Sequence, residues 1–359
     1  MNSEVIDEIL YDSISLLKEM ISIPSHSREE CKVADLLVEF IKNKIDSCVI
    51  NRTGNNVWIT GKEINPEQPT ILLNSHIDTV KPVDGWNRNP YTAVEEDGKL
   101  FGLGSNDAGA SVVSLLAAFR VLINSSQNYN LIYAASAEEE VSGKNGMESL
   151  IKIIPNISFA IVGEPTNMRP AAAEKGLMVL DCTVRGVSGH AARNEGINAI
   201  YKAIEIIEGI KSYKFERVSS LLGEVKLTIT GINSGTQHNV IPDVCSFMID
   251  VRPNGMYSNI EILEILKERF PECAFVPRST RLNSSNIDIN HPFIQRCNLL
   301  GLEPFGSPTL SDQALIPYTS VKIGPGDSAR SHTADEYVYY SEIREAVELY
   351  VKLLDGLQI

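Results

Sequence analysis

A chain of 359 residues with 43% hydrophobic content has room for two domains and a large core. Its net charge of −14 and pI near 5.0 leave no basic block to neutralise phosphates, which excludes a nucleic-acid partner and still admits a small anionic substrate held by local arginines. No apolar run is long enough to span a bilayer, so no membrane partner is expected. The first twenty residues carry acids throughout and do not read as a signal peptide. Six scattered cysteines without CxxC spacing read as reduced thiols, and the expected location is the cytoplasm.

In chain order, Ile6, Ile9, Leu10, Ile14, Leu17 and Ile21 recur at helical spacing. Ser27-x-x-Glu30 reads as a capping box for a second helix through Ala34, Leu37 and Ile41. A hairpin at 48–60 turns around Gly54, and a strand at 70–75 runs into Ser75, His76 and Asp78. Residues 85–100 read as a loop. Gly102, Gly104 and Gly109 then open a helix at Val112–Phe119. These glycines lack GxGxxG spacing, so a dinucleotide site is not expected; by position alone Asp107 reads as a helix cap.

A strand at 130–136 ends in Glu138-Glu139-Glu140, a helix follows near 143–153, and a strand at 159–162 ends in Gly163-Glu164. From Gly176 the order β-α-β-β-α-β predicts a ferredoxin-like unit. The tail supplies a helix at about 292–300, a strand at 320–323 and a closing helix at about 341–354. His26 and His291 carry no motif and are expected on the surface.

Several strands thus stop at an acid or an imidazole, and ligands bind outside the carboxyl ends of strands in open α/β sheets. His76, Asp107, Glu139, Glu140, Glu164 and His332 form a donor set of two imidazoles and several carboxylates without thiolates. Such a set suits zinc, with cobalt or manganese as alternatives. It exceeds the needs of one tetrahedral ion and suits a pair sharing a carboxylate. Taken singly, each acid also reads as a solvated turn residue.

The segments SHIDTV, GLGSNDAGAS, SAEEE, GEPT, VSGHAAR, NVIPD, DVRP and SHTADE stand in the order and spacing of the di-zinc aminoacylase family. That family includes acetylornithine deacetylases, succinyl-diaminopimelate desuccinylases, aminoacylases and glutamate carboxypeptidases. The chain resembles it over nearly its whole length. The resemblance implies a mixed, mostly parallel α/β sheet flanked by helices, zinc-exopeptidase-like, formed by 1–175 and 285–359. Residues 176–284 would be an inserted ferredoxin-like α+β domain for closure and homodimer formation.

By position the resemblance implies two zinc ions per subunit. His76, Asp107 and Glu164 would hold one; Asp107, Glu140 and His332 would hold the other, with Asp107 bridging. Glu139 would be the general base, or Glu138 on a one-residue slip, and Asp78 would orient His76. The family often has a cis peptide after the bridging acid, here Asp107–Ala108. His190 would donate to the oxyanion, Asn239 would lie near substrate, and His238 beside it is a weaker candidate. Arg252 would bind the substrate carboxylate, with Arg330 as a second candidate. The chain departs from the common Asp-Met-Lys-Gly-Gly, having Asp107-Ala108-Gly109-Ala110-Ser111, outside the ligand set.

The GPGDS turn and SHTADEY look most like the acetylornithine and acetyl-lysine deacetylase branch. The implied reaction is removal of an N-acyl group from an amino acid, N-acetylornithine first, in arginine biosynthesis. Succinyl substrates and a dipeptidase or carboxypeptidase activity are the alternatives.

Overall fold

The computed structural model describes residues 3–154, 157–193 and 195–359. The chain divides into two compact units. One comprises Met1–Ala172, Ile287–Phe305 and Ser311–Ile359, the other Ala173–Asn286 and Gly306–Leu310. The sequence reading leaves Gly306–Leu310 with the catalytic part. The segment goes with the second unit because the Lys175 N–H donates to the Ser307 carbonyl at 3.0 Å.

The first unit is built on strands β1 (Cys48–Thr53), β2 (Asn56–Gly61), β3 (Thr70–His76), β4 (Asn130–Ser136), β5 (Phe159–Val162) and β6 (Ser320–Lys322). Their order in the sheet is β1-β2-β4-β3-β5-β6. The pairs β4–β3, β3–β5 and β5–β6 are parallel; β1–β2 and β2–β4 are antiparallel. Every residue of β3 and β4 is buried, as a parallel sheet covered on both faces requires.

Helices α1 (Ser3–Ile21), α2 (Cys31–Lys44), α3 (Ala110–Leu122), α4 (Pro292–Leu299) and α5 (Tyr340–Leu354) contribute to this unit. Alternation sorts the strand residues. Ile71, Leu73 and Tyr133 join Leu17, Leu37, Phe119 and Val347 in one core, while Leu72, Ile132 and Ala134 meet Met147, Leu150 and Ile154 in another.

Three local expectations change. Ser27 does not cap α2: its hydroxyl donates to Asp78 Oδ2 at 2.7 Å, and the Glu30 carboxylate accepts from the Arg28 amide at 2.6 Å. The helix near 143–153 shrinks to Met147–Leu150, because the Glu138 carboxylate accepts from both Asn145 nitrogens and holds the preceding residues as a loop. His26 and His291 are half-buried with partners. His26 meets the Tyr91 hydroxyl at 3.1 Å, while His291 caps α4 through Nδ1 and packs on Phe159.

In the second unit, strands Met178–Arg185, Lys226–Ser234, Val244–Arg252 and Cys273–Pro277 surround helices Ala199–Ser212 and Asn259–Arg269 in the order β-α-β-β-α-β. The sheet runs 226–234, 244–252, 178–185, 273–277 and is antiparallel throughout, the ferredoxin-like arrangement. Leu180, Cys182, Phe247 and Ile249 face Ile206 and Leu266 in its core.

Candidate metal centre

Parallel pairing brings the ends of β3 and β4 level, with His76 opposite Ser136, so the turns after both strands open at one rim. Asn74 pairs with Val162 of β5, which puts Glu164 one step beyond the same rim. Gly163 permits this approach: a Cβ there would stand 2.7 Å from Leu115 and 2.8 Å from Ser111. Asp107 arrives from a wide turn closed by the Gly109 N–H on the Gly104 carbonyl at 2.9 Å. The Asp107–Ala108 peptide is cis, as the resemblance implied.

His76 Nε2 lies 3.2 Å from Asp107 Oδ1 and 3.8 Å from Glu164 Oε1. The other Asp107 oxygen, Oδ2, lies 3.7 Å from His332 Nε2, which is 3.1 Å from Glu140 Oε2. Donor atoms of His76, Glu139 and Glu164 fall within 4.8 Å of one another, as do those of His76, Asp107 and Glu140. All six named residues therefore meet. Both Glu139 and Glu140 border the cluster, whereas the Glu138 carboxylate is engaged by Asn145.

Asp78 orients His76 in a way not foreseen. The imidazole Nδ1 donates to the Asp78 backbone carbonyl at 2.9 Å and lies 3.5 Å from its carboxylate. In the neutral imidazole, the form that binds an ion, this contact places the proton on Nδ1 and aims the Nε2 lone pair at the cluster. The Asp78 carboxylate accepts instead from the amides of Glu139 (3.0 Å) and Glu140 (3.1 Å) and from Ser27.

The electrostatics of the cluster suit a divalent cation. Burial, aided by Asp107, pushes Glu164 up to about 8, and burial pushes Glu139 well above the carboxylate range. Burial opposes charge on His76, yet its contacts with Asp107 and Asp78 hold it well above its usual value. The Glu140 contact raises His332 to about 9. Several carboxylates sharing one buried rim take up protons unless divalent ions neutralise them, and imidazole with carboxylate is a donor set for such ions. The residues fit two ions sharing Asp107.

The proposed substrate residues are divided between the two units. The Arg330 guanidinium holds Glu342 at 2.6 and 2.9 Å and lies over the Tyr337 ring, so its fork is filled. A substrate role for Arg330 would require it to exchange Glu342 for the substrate. In the second unit Arg252 is half-buried and paired with Asp250 at 2.8 and 3.0 Å. His190, His238 and Asn239 are exposed there, and His190 Nδ1 accepts from the Ala192 amide at 3.1 Å.

Other residues at the rim escaped the sequence reading. Buried Asp312 accepts from Ser136 (2.6 Å) and Asn74 (3.0 Å), tying β4 to β3. Buried Glu30 accepts from the Glu138 amide at 3.1 Å and from Asn55 at 2.7 Å. Buried Glu336 accepts from the amides of Gly104, Asn106 and Asp107. Glu336 lies inside SHTADE, so its position was visible and its partners were not.

A mostly parallel sheet with histidines and carboxylates gathered at its carboxyl rim defines a metal-dependent hydrolase. The chain belongs to peptidase family M20/M25/M40, which it matches over residues 72–356. It is 30% identical to the acetylornithine deacetylase of Klebsiella pneumoniae (strain 342) over 304 residues, 78% of each chain. It is 29% identical to that of Pectobacterium carotovorum subsp. carotovorum (strain PC1) over 318 residues, 79% of each. Its fold is shared with a dinuclear metal-binding peptidase of the M20 family from Bacillus subtilis, with a TM-score of 0.74 at 15% identity, covering 97% of this chain and 98% of that one. Among the described residues, no helix is long and apolar enough to cross a membrane.

Proposed function

We propose that the protein removes the acyl group from a small N-acyl amino acid, N-acetylornithine first, as a step of arginine biosynthesis. The observation that carries the hydrolytic chemistry is Asp107, whose two oxygens each face a different imidazole, His76 and His332. The likeness to acetylornithine deacetylases supports the choice of acyl donor. The proposed ions are two zincs, with Co2+ or Mn2+ as alternatives: His76, Asp107 and Glu164 would hold one, and Asp107, Glu140 and His332 the other. Ions in that cradle supply Lewis acidity toward the amide carbonyl and lower the pKa of the attacking water.

The chain does the rest. Glu139 takes the proton of the attacking water and returns it to the departing amine. Its amide, held by Asp78, fixes the turn from which its side chain reaches the rim. His190 accepts the Ala192 amide on Nδ1, so its neutral form carries the proton on Nε2 and can donate to the developing oxyanion. Asn239 and Arg252 are the proposed contacts to the amino-acid end, Arg252 on condition that it exchanges Asp250 for the substrate carboxylate. We assign the reaction to the cytoplasm on the strength of six free thiols. The second unit is the proposed homodimer contact: Tyr201, Ile204 and Ile232 are exposed on it.

The test is hydrolysis of N-acetylornithine, N-succinylornithine, N-acetylcitrulline, N-acetyl-lysine and dipeptides by protein stripped with a chelator and reloaded with zinc. The expected result is activity that vanishes on chelation, returns with metal, and has its highest kcat/KM on N-acetylornithine. Faster turnover of dipeptides would replace the deacylase reading with a peptidase on the same centre.

A further inference from the structure

We propose that Glu336 is a positioning residue that sets the two loops carrying Asp107 and His332 as one piece, by clamping the backbone amides of Gly104, Asn106 and Asp107. The inference rests on the metal centre described above. Its starting point is a carboxylate in a costly place. Glu336 is 2% exposed and stands beside another acid, Asp107. Burying a charge next to a like charge is unfavourable unless donors repay it.

The donors are all backbone. Glu336 Oε1 accepts from the Asn106 amide at 2.8 Å and the Asp107 amide at 2.9 Å, while Oε2 accepts from the Gly104 amide at 3.0 Å. The Glu336 carbonyl also accepts the Gly102 amide at 3.0 Å. One side chain therefore grips the turn that presents Asp107, and its own backbone lies four residues beyond His332.

A second tie runs the other way. The Asn106 amide group donates to the Asp327 carbonyl (3.1 Å) and to Ser331 Oγ (3.3 Å), and its oxygen accepts the Asp327 amide at 3.0 Å. The fit leaves no room for a side chain at Gly326, where a Cβ would stand 2.3 Å from Asn106 Oδ1 and φ is +84°. Ser331 precedes His332. The 3.7 Å separation of Asp107 Oδ2 from His332 Nε2 is thus bracketed by cross-loop hydrogen bonds on both sides. A chain that needs Asp107 to serve two ions needs that spacing held before either ion arrives.

The test compares Glu336→Gln, Glu336→Asp and, as a control for stability alone, Asp12→Asn. Zinc affinity and stoichiometry are read by competition with a chromophoric chelator, thermal midpoint by melting, and kcat and KM on N-acetylornithine separately. Glutamine keeps the volume but turns an NH2 toward backbone N–H donors. The expected result is zinc affinity at one of two sites lowered about 10–100-fold, kcat lowered and KM little changed, with partial recovery in Glu336→Asp. Should Glu336→Gln fail to fold, Asn106→Ala cuts the second tie and carries the same expectation. A Glu336→Gln protein that melts earlier, as Asp12→Asn does, yet binds zinc like wild type overturns the clamp. Wild-type protein that takes up no divalent ion removes the metal centre itself, and the clamp with it.

Discussion

The rim of the first unit and the loops of the second are built on opposite plans. At the rim, His76 is buried, Asp107, Glu139, Glu140 and Glu164 are half-buried and His332 is exposed, and distant segments fix the turns that carry them: Asp78 holds the amides of Glu139 and Glu140, and Asp312 ties β3 to β4. In the second unit His190 and Asn239 are exposed, and the side chains of His190 and Arg252 make their hydrogen bonds to neighbours two residues away. The first plan prepays the cost of ordering, which suits groups that must hold ions at fixed spacing. The second leaves side chains free to settle on a substrate. Rim variants should therefore alter metal binding or the chemical step, and second-unit variants should leave the metal in place.

The largest effect is expected at the acidic turn, where two adjacent glutamates both border the cluster. Glu139→Ala should lower kcat by about 10²–10⁴-fold, the range for losing a general base, with zinc content close to wild type. Glu140→Ala, which strips His332 of its partner at 3.1 Å, should release zinc. Metal analysis beside steady-state kinetics separates the two. Equal zinc loss in both variants would reverse the assigned roles and make the rim uniform.

How far the sequence shows this site depends on the kind of contact. Apolar runs ending in His76, in Glu138–Glu140 and in Glu164 are local patterns, and parallel strands buried on both faces leave few other places for polar residues. The ferredoxin-like order was legible for a similar reason, since 178–185 alternates buried residues with half-buried or exposed ones against two amphipathic helices. Partners were not legible. Ser27-x-x-Glu30 has the same spelling whether Ser27 caps a helix or, as here, serves Asp78. Glu336, Glu30 and Asp312 accept hydrogen bonds mostly from backbone or from strand residues far along the chain, and such contacts have no spacing to read. The partners of Arg330 were equally hidden: its nearness to His332 in sequence says nothing of Glu342 and Tyr337, which it contacts.

His190→Ala is the next effect in size and the sharpest test of the contrast. Removing one donor to an oxyanion costs about 10²–10³-fold in kcat. Zinc stoichiometry should stay at the wild-type value, because the rim contacts all come from the first unit. Unchanged kcat would remove the oxyanion role, and loss of zinc would show that the two plans are not independent.

Ser27→Ala should have a smaller effect. The hydroxyl supplies one of three hydrogen bonds to the Asp78 carboxylate, and the amides of Glu139 and Glu140 remain. Losing one such bond to a charged group costs about 1.5–3 kcal/mol at most where it is buried, and the remaining donors blunt it. The expected change is a several-fold weakening of zinc affinity, read by chelator competition. No change at all would show that Asp78 is held by the two amides alone.

The smallest functional effect is expected from Asp12, which sharpens the comparison by lying outside both regions. Asp12 in α1 receives Lys44 of α2 at 2.8 Å and Arg120 of α3 at 2.7 Å, so it joins three helices. Burial pushes its carboxyl upward, but the hydrogen bonds and charges of Lys44 and Arg120 outweigh burial and hold it below the usual carboxylate value. A folded-state pKa below the unfolded one adds stability above the unfolded value, about pH 4, and that stability fades as pH falls through the lower folded value. Asp12→Asn should therefore melt earlier at neutral pH, by the equivalent of about 2 kcal/mol. The gap from wild type should stay constant down to about pH 5 and close as Asp12 protonates. Zinc binding and kcat should match wild type throughout. A gap that widens on acidification would reverse the sign of the Asp12 shift, and loss of zinc in Asp12→Asn would mean that the rim depends on helix packing as a whole rather than on its own cross-ties.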